Sequence, residues 1–343
     1  MLTNSGTAAI TLALRASAPS GDPIVALPAY ACPDLGSAAV GAGFGILLYD
    51  IDAETFEPDL DGVARCIASG ATHVLVAHLA GHIVDVARVA RLTDGAGVVL
   101  IEDAAQHAGG SRGGKRAGAV ADWSVLSFGR GKGLNAGGGG ALLRSRSSNA
   151  LWKLPPLRKT PSRWNQLVGV MSIAATDVLA NPSLYWLPAS VPMLHLGETR
   201  YHEPLPPGAM PAVFAQLLAH ALQSERQQLS VRRANEAWYT SALHGLKSVR
   251  LVRRAADSES GALRFPVLLP SGAASVLAPL GVTRMYPRTL DEYAPIRAAL
   301  VHQATALPGA ELLAAQLHSL PTHSLLTVGE RERIVEALTD AEH

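Results

Sequence analysis

This chain of 343 residues has a low net charge, few cysteines and few long hydrophobic runs. The formal net charge is only +1, and acidic and basic residues are interspersed along the sequence. This excludes the concentrated positive field that attracts nucleic acids or anionic membranes. The expected partners are therefore small molecules, neutral or locally anionic, and we predict no nucleic-acid partner.

The two cysteines, Cys32 and Cys66, lie in unrelated segments without the spacing of metal ligands. They indicate neither a disulfide framework nor a zinc site. Residues 1–5 lack the basic and apolar regions of a signal peptide. We therefore expect a cytoplasmic protein.

The most apolar stretch, residues 167–196, is too interrupted to cross a bilayer. Polar residues and prolines break it at Asp177, Asn181, Pro182, Pro188 and Pro192. No run of 18 uncharged apolar residues exists, and we predict no membrane span. A buried helix followed by an extended crossing, at a subunit interface, is the interpretation that we favour.

Hydrophobic residues make up 48% of the chain, and from residue 6 to about residue 140 strand patterns alternate with helical ones. The predicted strands are 24–28, 45–49, 73–77, 98–102, 123–128 and 140–144. The predicted helices are 7–16, 34–41, 60–69 and 84–93. This alternation predicts a mostly parallel sheet with helices on both faces, in which ligands bind beyond the carboxyl ends of the strands.

A long helical pattern runs from residue 210 to about residue 245, and a strand pattern at 263–269 and a closing helix at 328–338 follow it. These elements predict a smaller C-terminal α/β domain. We expect a large domain over residues 1–207 and the smaller domain over residues 208–343.

One apolar strand pattern ends in Glu102 and Asp103, and Gln106 follows three residues later. A carboxylate that is half buried at a strand end is costly unless it meets a cation or several hydrogen-bond donors. We therefore expect Asp103 to have a charged partner. From these residues alone, capping of the next loop and metal binding are also open interpretations.

A lysine follows the next strand pattern, in the sequence Ser127-Phe-Gly-Arg-Gly-Lys132. Lysine is seldom buried, and desolvation favours the neutral amine that can form an imine. A lysine that binds phosphate as a point charge is the alternative. The segment matches neither a P-loop nor the three-glycine dinucleotide fingerprint, which disfavours a nucleotide-binding module.

Near the start of the chain, Asn4-Ser-Gly-Thr7 leads directly into an apolar helical pattern. Gly6 and Thr7 would present backbone N–H groups and a hydroxyl at a helix N-terminus, where anions bind favourably. An ordinary helix cap explains the same residues.

In this order, these motifs resemble the DegT/DnrJ/EryC1/StrS family of sugar aminotransferases, which belong to fold-type I of the pyridoxal 5'-phosphate (PLP) enzymes. The pair Glu102-Asp-Ala-Ala-Gln106 and Ser127-Phe-x-x-x-Lys132 is the most specific part. The other matching stretches are Ser5-Gly-Thr-Ala-Ala-Ile, Pro28-Ala-Tyr-Ala-Cys-Pro33, Asp50-Ile-Asp52, Thr55-Phe56, His78-Leu-Ala-Gly81, Gly139-Gly-Ala141, Arg264-Phe-Pro-Val267, Met285-Tyr-Pro287 and Leu320-Pro-Thr-His323. The resemblance therefore covers nearly the whole chain.

The resemblance implies a homodimeric PLP-dependent aminotransferase that transfers an amino group from glutamate or glutamine to a nucleotide-linked keto sugar. Lys132 would hold PLP as a Schiff base and shuttle the proton. Asp103 would face the pyridine nitrogen, and Gln106 would contact the phenolic oxygen of the ring. The phosphate would be held by Gly6, Thr7 and Ser127.

The chain departs from the family pattern at three places. The aromatic residue that stacks on the PLP ring in many relatives aligns near Cys32, so the stacking is either lost or taken over by Tyr30. The asparagine that relatives lend to the phosphate from the partner subunit has no clear counterpart in residues 197–202. Relatives also carry a segment before the Ser-Gly-Thr motif, on which this chain almost begins.

Two further functions are alternatives to the aminotransferase. One is a PLP enzyme of the same fold with another reaction, such as sugar dehydration; the family's dehydratases carry His where this chain has Lys132. The other is a non-catalytic regulatory or scaffold homologue. Among the histidines, we expect His78 and His107 in the core or the site wall, and His323 is a candidate for lining the site.

Overall fold

The computed structural model describes residues 1–107, 109–145, 154, 157, 199–270, 277–302 and 306–340. Its main sheet has seven strands in the order β1-β9-β8-β5-β4-β2-β3. They are β1 (Leu2–Thr3), β2 (Ile24–Pro28), β3 (Gly45–Tyr49), β4 (His73–Ala77), β5 (Val99–Asp103), β8 (Trp123–Ser127) and β9 (Gly140–Arg144). Only β9 runs against the others, pairing antiparallel with β8 and with β1. The expected mostly parallel sheet is confirmed.

Helices pack on this sheet in pairs, α1 (Gly6–Ser17) with α2 (Pro33–Ala42) and α3 (Leu60–Ala68) with α4 (Val86–Ala96). Their ends follow from local chemistry. Asp59 and Asp85 cap α3 and α4 by accepting backbone N–H groups, and Gly97 ends α4 in the left-handed region at φ 68°. The predicted strands and helices of this half agree with the structure to within one to three residues at each end.

A second, antiparallel sheet has four strands in the order β10 (Arg250–Leu251), β12 (Phe265–Leu268), β14 (Leu317–Leu320) and β13 (Thr283–Arg284). The end of the long helix α5 (Ala212–Ala242) and the closing helix α8 (Val328–Asp340) pack against it. Their core includes Tyr239, Phe265, Val267, Ile334 and Leu338. The smaller C-terminal α/β unit is thus present.

Several C-terminal elements nevertheless contribute to the core of the large domain or pair with its strands. The helices α6 (Ala294–Ala298) and α7 (Pro308–Gln316) contribute Ile296 and Leu313 to the large core. A small three-stranded sheet joins β11 (Ser258–Glu259) to the hairpin of β6 (Ser111–Arg112) and β7 (Lys115–Arg116). The domain boundary between residues 207 and 208 therefore stays a prediction, and residues 167–196 lie outside the described residues.

Two short 3-10 helices, Ala278–Leu280 and Leu290–Glu292, complete the described elements. None of the helices in the described ranges combines the length and the hydropathy needed to cross a bilayer.

Candidate functional site

The three sequence motifs meet at the carboxyl edge of the main sheet. Asp103 ends β5 and Ser127 ends β8, and these strands are parallel neighbours in which Asp103 lies opposite Val125. Helix α1 begins beside them: a Cβ added to Gly6 would lie 3.0 Å from Cβ and 3.2 Å from Oγ of Ser127. The fold thus brings Gly6, Asp103 and Ser127 to one place.

The N-terminus of α1 has the chemistry of an anion site. Ser5 caps the helix, with its Oγ accepting the N–H of Ala8 at 3.0 Å. The N–H groups of Gly6 and Thr7 lie in the first turn of the helix, where no helical carbonyl four residues earlier can accept them. With the hydroxyls of Thr7 and Ser127, they form a set of donors suited to a phosphate at the positive end of the helix dipole.

Asp103 is a buried carboxyl group, only 7% exposed. Its Oδ1 accepts the N–H of Ala105 at 2.9 Å. Burial raises the pKa of Asp103, while the Ala105 N–H and the Lys132 ammonium act to lower it, and the pKa remains above its usual value. A cationic group placed beside Asp103 would favour the ionised carboxylate and act to lower this pKa.

Lys132 sits on a tight turn that follows β8. Its N–H donates to the Gly129 carbonyl at 3.2 Å, and Gly131 before it has φ 73°, a conformation that glycine adopts without strain. Helix α5 holds the turn from one side, because Arg232 Nη2 donates to the Gly133 carbonyl at 3.1 Å. The lysine is half-buried, and its charge acts on Asp103.

Glu102, next to Asp103 on β5, points to the other face and has a different environment. It is 1% exposed and accepts hydrogen bonds from His78 Nε2 at 2.9 Å and from the N–H groups of Gly118 at 2.6 Å and Val120 at 3.2 Å. His78 Nδ1 accepts the Val84 N–H, so Nε2 carries the hydrogen that Glu102 receives. Glu102 thus holds the backbone of the segment at Gly118 and Val120, and His78 is a core residue as expected.

Gln106 links two distant segments at the edge of the site. Its Oε1 accepts the Ala80 N–H at 2.9 Å, and its Nε2 donates to the Tyr286 hydroxyl at 2.5 Å. Tyr30 is fully buried, with its hydroxyl accepting the Tyr286 N–H at 3.0 Å and the two rings 5.5 Å apart. Sequence analysis assigned no role to Tyr286, which lies 180 residues from Gln106; its stretch Met285-Tyr-Pro287 was the available signal.

Cys32 lies near the same charges. Burial, followed by the negative charge of Asp34, raises the pKa of Cys32 to about 12, although Lys132 opposes this effect. The thiol therefore stays protonated at neutral pH and is a poor nucleophile. The assignment of Tyr30 as a substitute for the stacking aromatic stays a prediction.

A pocket of about 340 Å³ opens beside Lys132. His323 lines it, as the sequence suggested, whereas His107 is buried with its Nδ1 accepting the Gly109 N–H. Sequence analysis missed the polar residues that α5 and the loop after Lys132 add to the wall: Asn135, Ser224, Gln228 and Arg232. The arrangement combines an anion site, a buried carboxyl group and a lysine beside a cleft.

Curated relatives resemble part of this chain. The 3-amino-5-hydroxybenzoate synthase of Amycolatopsis mediterranei is 34% identical over 140 residues, covering 40% of this chain and 36% of that protein. The L-glutamine:2-deoxy-scyllo-inosose aminotransferase of Streptomyces kanamyceticus is 33% identical over 140 residues, 41% of this chain and 33% of that protein. These alignments therefore span only about a third of each relative's length.

The fold is shared over the whole chain with solved structures. DesV of S. venezuelae superposes with a TM-score of 0.77 at 23% identity, covering 100% of this chain and 84% of that one. The model of the DegT/DnrJ/EryC1/StrS aminotransferase family matches residues 1–153 and 207–339. Because this match extends over well more than half of the sequence, the chain belongs to the DegT/DnrJ/EryC1/StrS aminotransferase family.

Proposed function

We propose that this chain is a PLP-dependent aminotransferase that carries its cofactor on Lys132. The observation that carries the proposal is the meeting of the α1 N-terminus, Ser127, Asp103 and Lys132 at the carboxyl edge of one sheet. Membership of the aminotransferase family supports it.

The donor set fits PLP at both ends of the cofactor. The N–H groups of Gly6 and Thr7 and the Ser127 hydroxyl suit a phosphate. The buried carboxyl group of Asp103 suits a protonated ring nitrogen, which would supply the positive charge that burial makes favourable there. Gly140 supports the phosphate end, because a Cβ there would lie 2.6 Å from the Ser5 carbonyl carbon and would displace the helix start.

When bound, PLP supplies an electron sink for the carbon that loses its proton. Asp103 would keep the ring nitrogen protonated, and Lys132 Nζ would take the proton from the substrate carbon that bears the amino group and deliver it to the cofactor. Ser127 and the α1 N-terminus would fix the phosphate so that Lys132 stays in reach. The protein's contribution is thus position and electrostatics.

We propose glutamate or glutamine as the amino donor and a nucleotide-linked keto sugar as the acceptor. Relatives support both: the S. kanamyceticus protein is named for L-glutamine, and a relative from Saccharopolyspora spinosa, 34% identical over 138 residues, is named as a dTDP-4-dehydro-2,3,6-trideoxy-D-glucose 4-aminotransferase. We expect this activity in the cytoplasm.

Absorption spectroscopy of the purified protein with PLP tests the proposal. We expect a visible band from cofactor bound to lysine, and its loss when L-glutamate or L-glutamine donates its amino group and leaves as the keto acid. Both changes should be absent in Lys132→Ala and present in Lys115→Ala, because Lys115 is exposed in the β6–β7 hairpin. A protein that binds no PLP would point to the non-catalytic alternative.

We also propose that the working unit is a homodimer, from the family resemblance and the apolar stretch at residues 167–196. Closed two-fold dimers are the commonest soluble assembly. Val170→Asp or Leu187→Glu should release monomers and abolish PLP binding together. Light scattering that shows a wild-type monomer with PLP bound and donor turnover would refute the dimer.

A further inference from the structure

The pocket beside Lys132 is positively charged. Three cationic side chains line it, Lys132, Arg232 and Arg264, and the described residues of its wall include no carboxylate. Asn135, Ser224 and Gln228 add neutral hydrogen-bonding groups. A concave site of one charge sign with polar donors is suited to an anionic ligand.

Arg232 is the most unusual of these cations, because it is only 7% exposed. Its Nη2 donates to the Gly133 carbonyl at 3.1 Å, while Nη1 is buried and has no hydrogen-bond partner within the part of the chain that the structure describes. Burial lowers the pKa of Arg232, and the charge of Glu225 opposes this effect. A buried guanidinium with an unused donor is costly unless a ligand completes its hydrogen bonds.

We propose that this pocket binds the anionic group of a substrate, a carboxylate or a phosphate, with Arg232 as the principal donor and Arg264 as the second. The proposal rests on the proposed function, since it places the substrate beside the lysine that carries the cofactor. Arginine suits this role because its planar fork can bind two oxygens of one carboxylate or phosphate. The carboxylate source is the amino donor, and the phosphate source is the nucleotide of the acceptor.

The matched control lies one residue away on the same helix. Arg233 has different partners: its Nε donates to the Ser260 carbonyl at 2.9 Å, and its Nη2 forms an ion pair with Glu259 at 3.2 Å. It is absent from the pocket wall. Arg233→Gln therefore removes a charge from α5 without removing one from the pocket.

Isothermal titration calorimetry of the PLP-loaded protein tests the proposal, with glutarate as the carboxylate probe and inorganic pyrophosphate as the phosphate probe. Arg232→Gln and Arg264→Gln should weaken binding of at least one probe roughly 10- to 100-fold, the effect of losing one or two charge-assisted hydrogen bonds. Arg233→Gln should bind like the wild type. The probe that is affected identifies the source of the anion.

Thermal melting of each variant separates a loss of binding from a loss of folding, and Arg264→Gln decides the matter if Arg232→Gln does not fold. The proposal is overturned if the folded pocket variants bind both probes as tightly as Arg233→Gln, or if the wild type binds neither. Repeating the titrations without PLP separates a failure of the anion-site proposal from a failure of the proposed function. If PLP does not load on Lys132 but the anions still bind through Arg232, only the proposed function has failed.

Discussion

Glu102 and Asp103 are adjacent carboxyl groups with opposite predicted roles, and replacing each in turn separates stability from activity. Glu102 accepts hydrogen bonds from the buried His78 ring and from the part-buried backbone N–H groups of Gly118 and Val120. Glu102→Ala would leave these three donors without an acceptor and open a cavity. At roughly 1 kcal/mol for each donor left without an acceptor, together with the cavity, we expect a loss of about 3–5 kcal/mol in the free energy of unfolding.

Glu102→Gln keeps the volume and one oxygen but turns an amide NH2 toward a backbone donor, so we expect a smaller loss of roughly 1–3 kcal/mol. Asp103→Asn should cost under about 1 kcal/mol, because it removes a carboxylate whose ionised form burial already disfavours. Urea unfolding without PLP measures all three, using fluorescence of the buried Trp123 on the neighbouring strand. If Glu102→Ala unfolds at the wild-type urea concentration, or if Asp103→Asn loses as much stability, the assignment of the two roles is wrong.

The same pair makes a prediction about pH. Burial acts to raise the pKa of Glu102, but the hydrogen bonds from His78 and from the two backbone donors outweigh it, so the pKa lies below its usual value. The stability that this carboxylate contributes is present above its unfolded pKa and is lost as the pH falls through its folded pKa. The difference in unfolding free energy between wild type and Glu102→Gln should therefore shrink as the solution is acidified.

Three further predictions concern the cofactor site and the core. Asp103→Asn should still bind PLP but lose at least about 100-fold in the donor half-reaction, measured by stopped-flow absorbance, because the ring nitrogen loses its partner; an unchanged rate would refute the role. Gly6→Ala should weaken PLP binding roughly tenfold or more, because the added Cβ would press on Ser127. The control Gly95→Ala, with no atom within 4 Å of its new Cβ, should bind PLP normally. Equal affinities of the two variants in a fluorescence titration would count against the phosphate site. Burial lowers the pKa of His73 to about 4, so the stability that the neutral ring contributes should fall by up to roughly 3 kcal/mol as the pH falls from 6.5 to 4. The melting temperature of His73→Gln should therefore depend less on pH than that of the exposed control His302→Gln. Parallel curves for the two variants would contradict this.

The sequence predicted the sheet well because its strands are apolar, short and separated by helical patterns. Strands β2, β3, β4 and β9 have the predicted bounds, β5 is shifted by one residue at both ends, and β8 ends one residue earlier than predicted. The two-residue strands β1, β6 and β7 were missed, because a pair of residues has no periodicity to detect. Gly113 and Gly114 have positive φ in the turn between β6 and β7, a conformation that glycine adopts without strain.

The candidate site was predictable only where it follows strand ends. Asp103 and Ser127 close apolar strands, so a parallel sheet must bring them to one edge. Arg232 and Tyr286 reach the site through contacts with residues 99 and 180 positions away, Gly133 and Gln106. No local pattern records such contacts, because they depend on how α5 and the C-terminal segment pack against the large sheet.

The most direct test of the account is chemical labelling of the lysine. Borohydride reduction of the PLP-loaded protein fixes the cofactor to the amine that holds it, and peptide mass mapping then identifies the residue. We predict a single labelled peptide that contains Lys132. Label on Lys115, the exposed lysine of the β6–β7 hairpin, or no label at all, would contradict the central claim that Lys132 carries the cofactor.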